Sequence, residues 1–206
     1  MSTQPHRRYT LEEYFALELA SEEKYEYFDG EVFNMSGVSP RHEEIISNML
    51  TALKNKLRGR GCHVYPSNLR VKVPAYLPYR YPDLTALCDT PQYEKIGGID
   101  ALLNPSLIVE ILSPSTGDYD RGDKFTYYKS IESFREYLLI AQHRAHITHF
   151  SKDESGTWAY EEINDLEGFV YLLSLGCELS LRDVYENIEF PPLPLPPQER
   201  PDEGER

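Results

Sequence analysis

Positive charge is in short supply in this chain. Its 206 residues carry 21 lysines and arginines against 34 aspartates and glutamates, a formal net charge of −13. Proteins that grip nucleic acid usually present a basic face, because phosphate neutralisation supplies much of their affinity, so this balance weighs against a broad one. The tail from Pro191 holds four acids and two arginines and accounts for only −2 of the total, so the rest is acidic as well. Local basic strips remain around Lys54, Lys56, Arg58 and Arg60, or along Arg70, Lys72 and Arg80. Each also reads simply as a solvated helix face or strand edge.

Cysteine is scarce too. Cys62, Cys88 and Cys177 are odd in number and widely scattered, which predicts reduced thiols and argues against a disulfide framework or a zinc cluster. No stretch approaches the roughly 18 apolar residues of a membrane helix, and the opening MSTQPHRRYTLEEYF lacks the apolar centre of a signal peptide. A soluble cytoplasmic protein with no membrane partner is expected. A Gly-rich phosphate loop, a Gly-x-Ser-x-Gly elbow and a His-Glu-x-x-His pair are all missing, which excludes P-loop enzymes, serine hydrolases of that type and zincins.

What is present fits one globular domain over residues 1–190, followed by a proline-rich charged tail over 191–206 that is expected to be extended or flexible. Thr10 and Glu13 have capping-box spacing and open a helix. Two aromatic runs around Asp29-Gly30 predict a β-hairpin with a type I′ turn. Ser39-Pro40 opens a helix running to about Arg60, with Ile46, Met49, Leu50, Leu53 and Leu57 on one stripe. Strands follow at 62–65, 69–73, 83–88 and 107–112, then a helix over 119–131, a hairpin from 137–141 to 145–150, strands at 158–163 and 169–173, and a helical turn at 181–185. This order predicts a mixed central sheet flanked by helices, of α/β or α+β class.

Glu110 is the most informative residue. It lies inside the apolar run Leu107-Ile108-Val109-Glu110-Ile111-Leu112, where desolvation is costly unless a cation or strong donors meet the carboxylate. Asp83 begins the preceding strand after Pro82, and two acids on neighbouring strands offer the hard oxygens that Mg²⁺ prefers. His42 shares the inward stripe of its helix, a pattern that by itself favours a satisfied core histidine. Glu26 fits the outward position of a hairpin strand, and Lys124 fits a solvated lysine paired with Asp120 four residues earlier. His143, His146 and His149 do not form a shared metal site, because His146 and His149 point to opposite faces of a strand.

Taken in order, Tyr25-Glu26-Tyr27-Phe28-Asp29-Gly30-Glu31, Ser39-Pro40-Arg41-His42, Pro82-Asp83-Leu84, Val109-Glu110-Ile111-Leu112-Ser113-Pro114-Ser115, Asp120-Arg121 with Lys124, and Glu136-Tyr137 resemble one family. It is the bacterial putative restriction endonuclease family of unknown function, with the restriction-endonuclease-like PD-(D/E)XK fold, and the likeness runs from about Tyr9 to Tyr185. The resemblance implies that Asp83 and Glu110 hold Mg²⁺ or Mn²⁺, with the Ile111 backbone carbonyl as a further ligand. It places His42 beside the metal as ligand or partner and makes Glu26 a supporting acid. The residue two past Glu110 is ordinarily lysine, but here it is Leu112. Either Lys124 reaches in from the next helix, as the family likeness favours, or the site lacks its cation and is silent. The implied function is a metal-dependent endonuclease acting on DNA, for which a homodimer would suit cutting of both strands. The alternative is a catalytically silent binding or regulatory module that kept the fold.

Overall fold

In the computed structural model, which describes residues 7–35, 37–76, 79–113 and 117–190, Thr10 opens helix α1 (Leu11–Ala20) through both bonds of a capping box. The Glu13 amide donates to Thr10 Oγ1 at 3.2 Å, and the Thr10 amide donates to Glu13 Oε2 at 2.8 Å. Strands β1 (Tyr25–Phe28) and β2 (Glu31–Asn34) form the hairpin, and Asp29 and Gly30 both take positive φ, 45° and 85°, as a type I′ turn requires. Helix α2 (Pro40–Lys56) ends before Arg60, with Leu57 as its cap and Gly59 turning the chain at φ 75°.

Next come β3 (His63–Pro66), β4 (Arg70–Val71), β5 (Leu84–Leu87), β6 (Tyr93–Ile96), β7 (Ile99–Leu102) and β8 (Leu107–Leu112). The single helix expected over 119–131 is instead three pieces: α3 (Gly117–Tyr119), a π-helical turn (Asp120–Lys124) and α4 (Phe125–Tyr128). The chain closes with β9 (Glu136–Ala141), β10 (Ile147–Lys152), β11 (Trp158–Ile163), β12 (Phe169–Leu172), β13 (Cys177–Ser180) and α5 (Leu181–Val184). The proline-rich tail, 191–206, lies outside the described residues.

The main sheet has six strands in the order β11-β10-β9-β8-β5-β3. Only β8 and β9 run parallel. A parallel pair cannot be closed by a tight turn, so α3, the π-turn and α4 occupy the crossover between them. The period-two alternation of β8 sorts its side chains. Leu107, Val109 and Ile111 pack with Ile45, Met49 and Leu53 of α2 and Val184 of α5, whereas Ile108 and Leu112 pack with Phe125, Tyr128, Phe134 and Tyr137. Each such fully buried side chain contributes on the order of 1.5–3 kcal/mol. The architecture is the mixed sheet between helices expected from the sequence.

The expectation of reduced thiols at Cys62 and Cys88 is overturned. Cys62 and Cys88 are joined in a disulfide, not left as separate thiols, while Cys177 is free and buried. The antiparallel register His63↔Leu87 carries the chain so that Cys62 and Cys88 face each other just beyond the strand ends, a pairing hidden by their separation of 26 residues. The strip of Arg70, Lys72 and Arg80 is also no open basic surface. Arg70 bonds Glu18, Lys72 bonds Glu94 at 2.6 Å, and buried Arg80 faces Glu26 at 3.8 Å. Among the described residues no helix is long and apolar enough to cross a membrane.

A buried carboxylate ties the β12–β13 unit to the main sheet. Glu136 accepts from the amides of Leu173 and Ser174 at 2.9 and 2.8 Å, from the Ser174 hydroxyl, and from His149 Nε2 at 2.9 Å. His149 Nδ1 faces Glu161 at 3.1 Å. Both ring nitrogens can donate only in the imidazolium. Burial lowers the His149 pKa, but hydrogen bonds to Glu136 and Glu161 outweigh it and leave the pKa above 6.5. The stabilisation is complete below that ordinary value and is lost as pH rises through the raised folded value. Urea midpoints of wild type and His149→Gln, measured from about pH 5.5 to 9, are therefore expected to converge as pH rises. A gap that stays constant with pH contradicts this.

Candidate active site

Glu110 sits on a strand all six of whose residues are buried, with a single strand on either side of it before the sheet continues. It shares a face with Ile108 and Leu112, the face covered by the crossover. Two donors from that crossover meet it: Lys124 Nζ lies 2.8 Å from Glu110 Oε1, and the Tyr128 hydroxyl donates to the same oxygen at 2.8 Å. Glu110 and Lys124 are only 3% and 5% exposed. Lys124 also contacts Asp120 Oδ1 at 3.3 Å across the π-turn, and Asp120 is itself anchored where the Tyr137 hydroxyl donates to its carbonyl at 3.0 Å. π-Turns inserted in helices recur at functional sites.

The second acid arrives by register. Leu84 pairs with Val109 across antiparallel β5 and β8, which sets Asp83, one residue earlier, opposite Glu110. The Ile111 amide donates to Asp83 Oδ2 at 2.7 Å, and His42 Nε2 lies 3.1 Å from Asp83 Oδ1. Ser39 caps α2 by accepting from the His42 amide at 3.2 Å, which fixes the start of the helix that presents the imidazole. Glu26 comes from the hairpin: it is buried, accepts from the Tyr81 amide at 3.0 Å and faces Arg80. Arg80 gives Nη1 to the carbonyls of Tyr27 and Tyr79, while its Nε and Nη2 are buried without a hydrogen-bond partner.

The electrostatics are those of a crowded ion cluster. Burial pushes the Glu110 carboxyl well up, Lys124 opposes that shift, and the charges of Asp83 and Asp120 add to it. Burial alone would lower the Lys124 ammonium, but Glu110, Glu26 and Asp120 more than reverse that and hold it protonated. Burial and the Glu110 charge raise the Tyr128 hydroxyl, so it stays a donor.

Asp83, Glu110, Lys124, His42 and Glu26 thus all line one cavity of about 840 Å³, together with Arg80, Asp120 and the Ile111 backbone. Lys124 is buried where the residue pattern suggested a solvated lysine, and Glu26 points inward where a hairpin position suggested outward. His42 is inward-facing but bonded to Asp83. Among the described residues no group of three His, Cys, Asp or Glu side chains converges as a metal site. The cavity does offer the Asp83 and Glu110 carboxylates, and Mg²⁺, which keeps several waters, needs only one or two protein carboxylates. Sequence reasoning missed Tyr128 and the burial of Arg80. The four-residue step from Lys124 to Tyr128 was the available signal for the former, and no local pattern marks the latter.

The chain resembles known proteins along most of its length. The family model Uma2, described as "Putative restriction endonuclease", matches residues 11–183. An uncharacterized protein of Synechocystis sp., slr1290, is 33% identical over 189 residues, which is 90% of this chain and 96% of that protein. A second, sll1609, is 30% identical over 154 residues, 75% and 86% of the two chains. The crystal structure of a putative nuclease belonging to DUF820 from Anabaena variabilis superposes with a TM-score of 0.64 over 82% of this chain and 96% of its own. At 18% identity that likeness establishes a shared fold.

Removing the ammonium strands two buried carboxylates. Lys124→Met is therefore expected to destabilise the fold by about 3–5 kcal/mol in urea unfolding, and adding Glu110→Gln should restore part of the loss. A double variant no more stable than Lys124→Met shows that the pair is not coupled.

Proposed function

The chain belongs to the Uma2 family of putative restriction endonucleases, and from that premise we propose that it is a Mg²⁺-dependent endonuclease hydrolysing phosphodiesters of DNA in the cavity floored by Asp83, Glu110 and Lys124. The observation that carries the reading is the buried Lys124 ammonium, 2.8 Å from Glu110, which supplies from the crossover the cation that Leu112 does not. Asp83 and Glu110, with the Ile111 carbonyl, would hold Mg²⁺ or Mn²⁺. When bound, the metal supplies a Lewis acid and lowers the pKa of a water nucleophile.

The protein's own groups do the rest. Lys124 stabilises negative charge that builds on the phosphoryl oxygens in the transition state, and it is aimed before reaction begins because Asp120 and Glu110 fix its position. The Ile111 amide and His42 together set the orientation of the Asp83 carboxylate. His42 is the group assigned to accept the proton of the attacking water. Glu26, braced by the Tyr81 amide, holds Arg80 against the cavity wall.

A second reading, a silent module that kept the fold, draws on the absence of a three-ligand cluster among the described residues and the net charge of −13. Incubation of plasmid and single-stranded DNA with Mg²⁺ or Mn²⁺ separates the two. Wild type is expected to cleave, and Asp83→Ala, Glu110→Ala and a chelator each to reduce cleavage to background. Cleavage unchanged by either substitution contradicts the site assignment. Mn²⁺ binding that needs both acids, without cleavage by wild type, selects the silent module.

A further inference from the structure

The wall of the cavity carries groups that the hydrolytic mechanism leaves unused. Phe33 pairs directly with Glu26 across the hairpin, and directly opposed residues of an antiparallel pair share a face. Glu26 faces the cavity, and so does Phe33, which lines it while remaining 46% exposed. Phe28, on the same face two residues along β1, is held by stacking on Tyr76 at 5.1 Å and by an edge contact with Tyr119. Phe33 has no ring contact among the described residues, and Val38, which lines the same cavity, is exposed as well. Single exposed apolar side chains are ordinary. Two at the mouth of a charged cavity are less so.

Three cations line the same cavity: Lys24, whose ammonium donates to Ser67 Oγ at 2.9 Å, Arg80, whose Nε faces Glu26, and Lys124. Free aromatic faces beside cations are the recognition chemistry of a single strand, whose bases stack while its phosphates pair. Depth argues in the same direction. Glu110 and Lys124 form a nearly solvent-free floor, so a scissile phosphate must descend into a space of about 840 Å³, within the roughly 300–1,000 Å³ of small-ligand clefts. A paired and stacked nucleotide must first leave the duplex to follow it, a cost that a single strand does not bear. On the neighbouring basic strip, Arg70 and Lys72 are taken by Glu18 and Glu94 and are not free for a duplex.

We propose that the site takes single-stranded nucleic acid, or an unpaired stretch within a duplex, and that the base next to the scissile phosphate stacks on Phe33. This rests on the nuclease reading above and narrows its substrate. The test compares a labelled single-stranded oligonucleotide with the same sequence as a blunt duplex, in Mn²⁺, for wild type, Phe33→Ala and Phe33→Tyr. A second arm follows the fluorescence of a 2-aminopurine single strand bound in Ca²⁺. The single strand is expected to be cut at least about tenfold faster than the duplex. Phe33→Ala should lose roughly tenfold in kcat/KM on it and abolish the 2-aminopurine quenching, with Phe33→Tyr close to wild type and circular dichroism unchanged. A duplex cut as fast as the single strand, with cleavage still dependent on Asp83, overturns the inference and leaves the nuclease reading standing. If neither form is cut, the nuclease reading fails and quenching decides: Phe33-dependent quenching keeps the single-strand site, and its absence removes it.

Discussion

A carboxylate in the middle of a central strand must be met by a cation, and the ion pair between Glu110 and Lys124 is the constraint around which this structure is organised. Both groups are buried, so neither would remain charged there without the other except at a penalty of several kcal/mol. Tyr128 and Asp120 complete the hydrogen bonding. Such a pair contributes little net stability compared with a well-packed apolar alternative. What the pair does achieve is geometric: it holds an ammonium and a carboxylate side by side at the buried end of the cavity.

The topology explains how the charges come together. Because β8 and β9 are parallel, a crossover must pass over one face of the sheet, and the side chains of Ile108, Glu110 and Leu112 point to that face. The crossover therefore can deliver Lys124 to Glu110. Leu112 is then free to pack with Phe125, Tyr128 and Phe134. On the other side, antiparallel pairing of β5 with β8 sets Asp83 opposite Glu110, and α2 brings His42 to it from the opposite layer.

Much of this was legible in the residues, and the limits were physical. The Thr10 capping box, the Asp29-Gly30 turn and the apolar run of β8, interrupted only by Glu110, are local signals, and each formed the element it implied. Tyr93–Ile96 did not read as a strand because its side chains are largely solvated and show no apolar alternation. The crossover helix was read as continuous because composition does not reveal a π-turn. The Cys62–Cys88 bond depends on a strand register that spacing alone cannot give. The burial of Lys124 and Glu26 likewise is a tertiary fact: Lys124 follows a polar segment and Glu26 alternates with tyrosines in a hairpin, and only the fold turns them toward Glu110 and Arg80.

The central claim is that Lys124 does the work of the absent strand lysine, and transplanting the charge tests it directly. Metal-dependent cleavage would be measured for wild type, for Lys124→Met, and for Lys124→Met combined with Leu112→Lys. The account predicts that the first substitution abolishes cleavage and that the second, placing an ammonium on the same face of β8 as Glu110, restores a measurable part of it. Full activity in Lys124→Met alone would contradict the account.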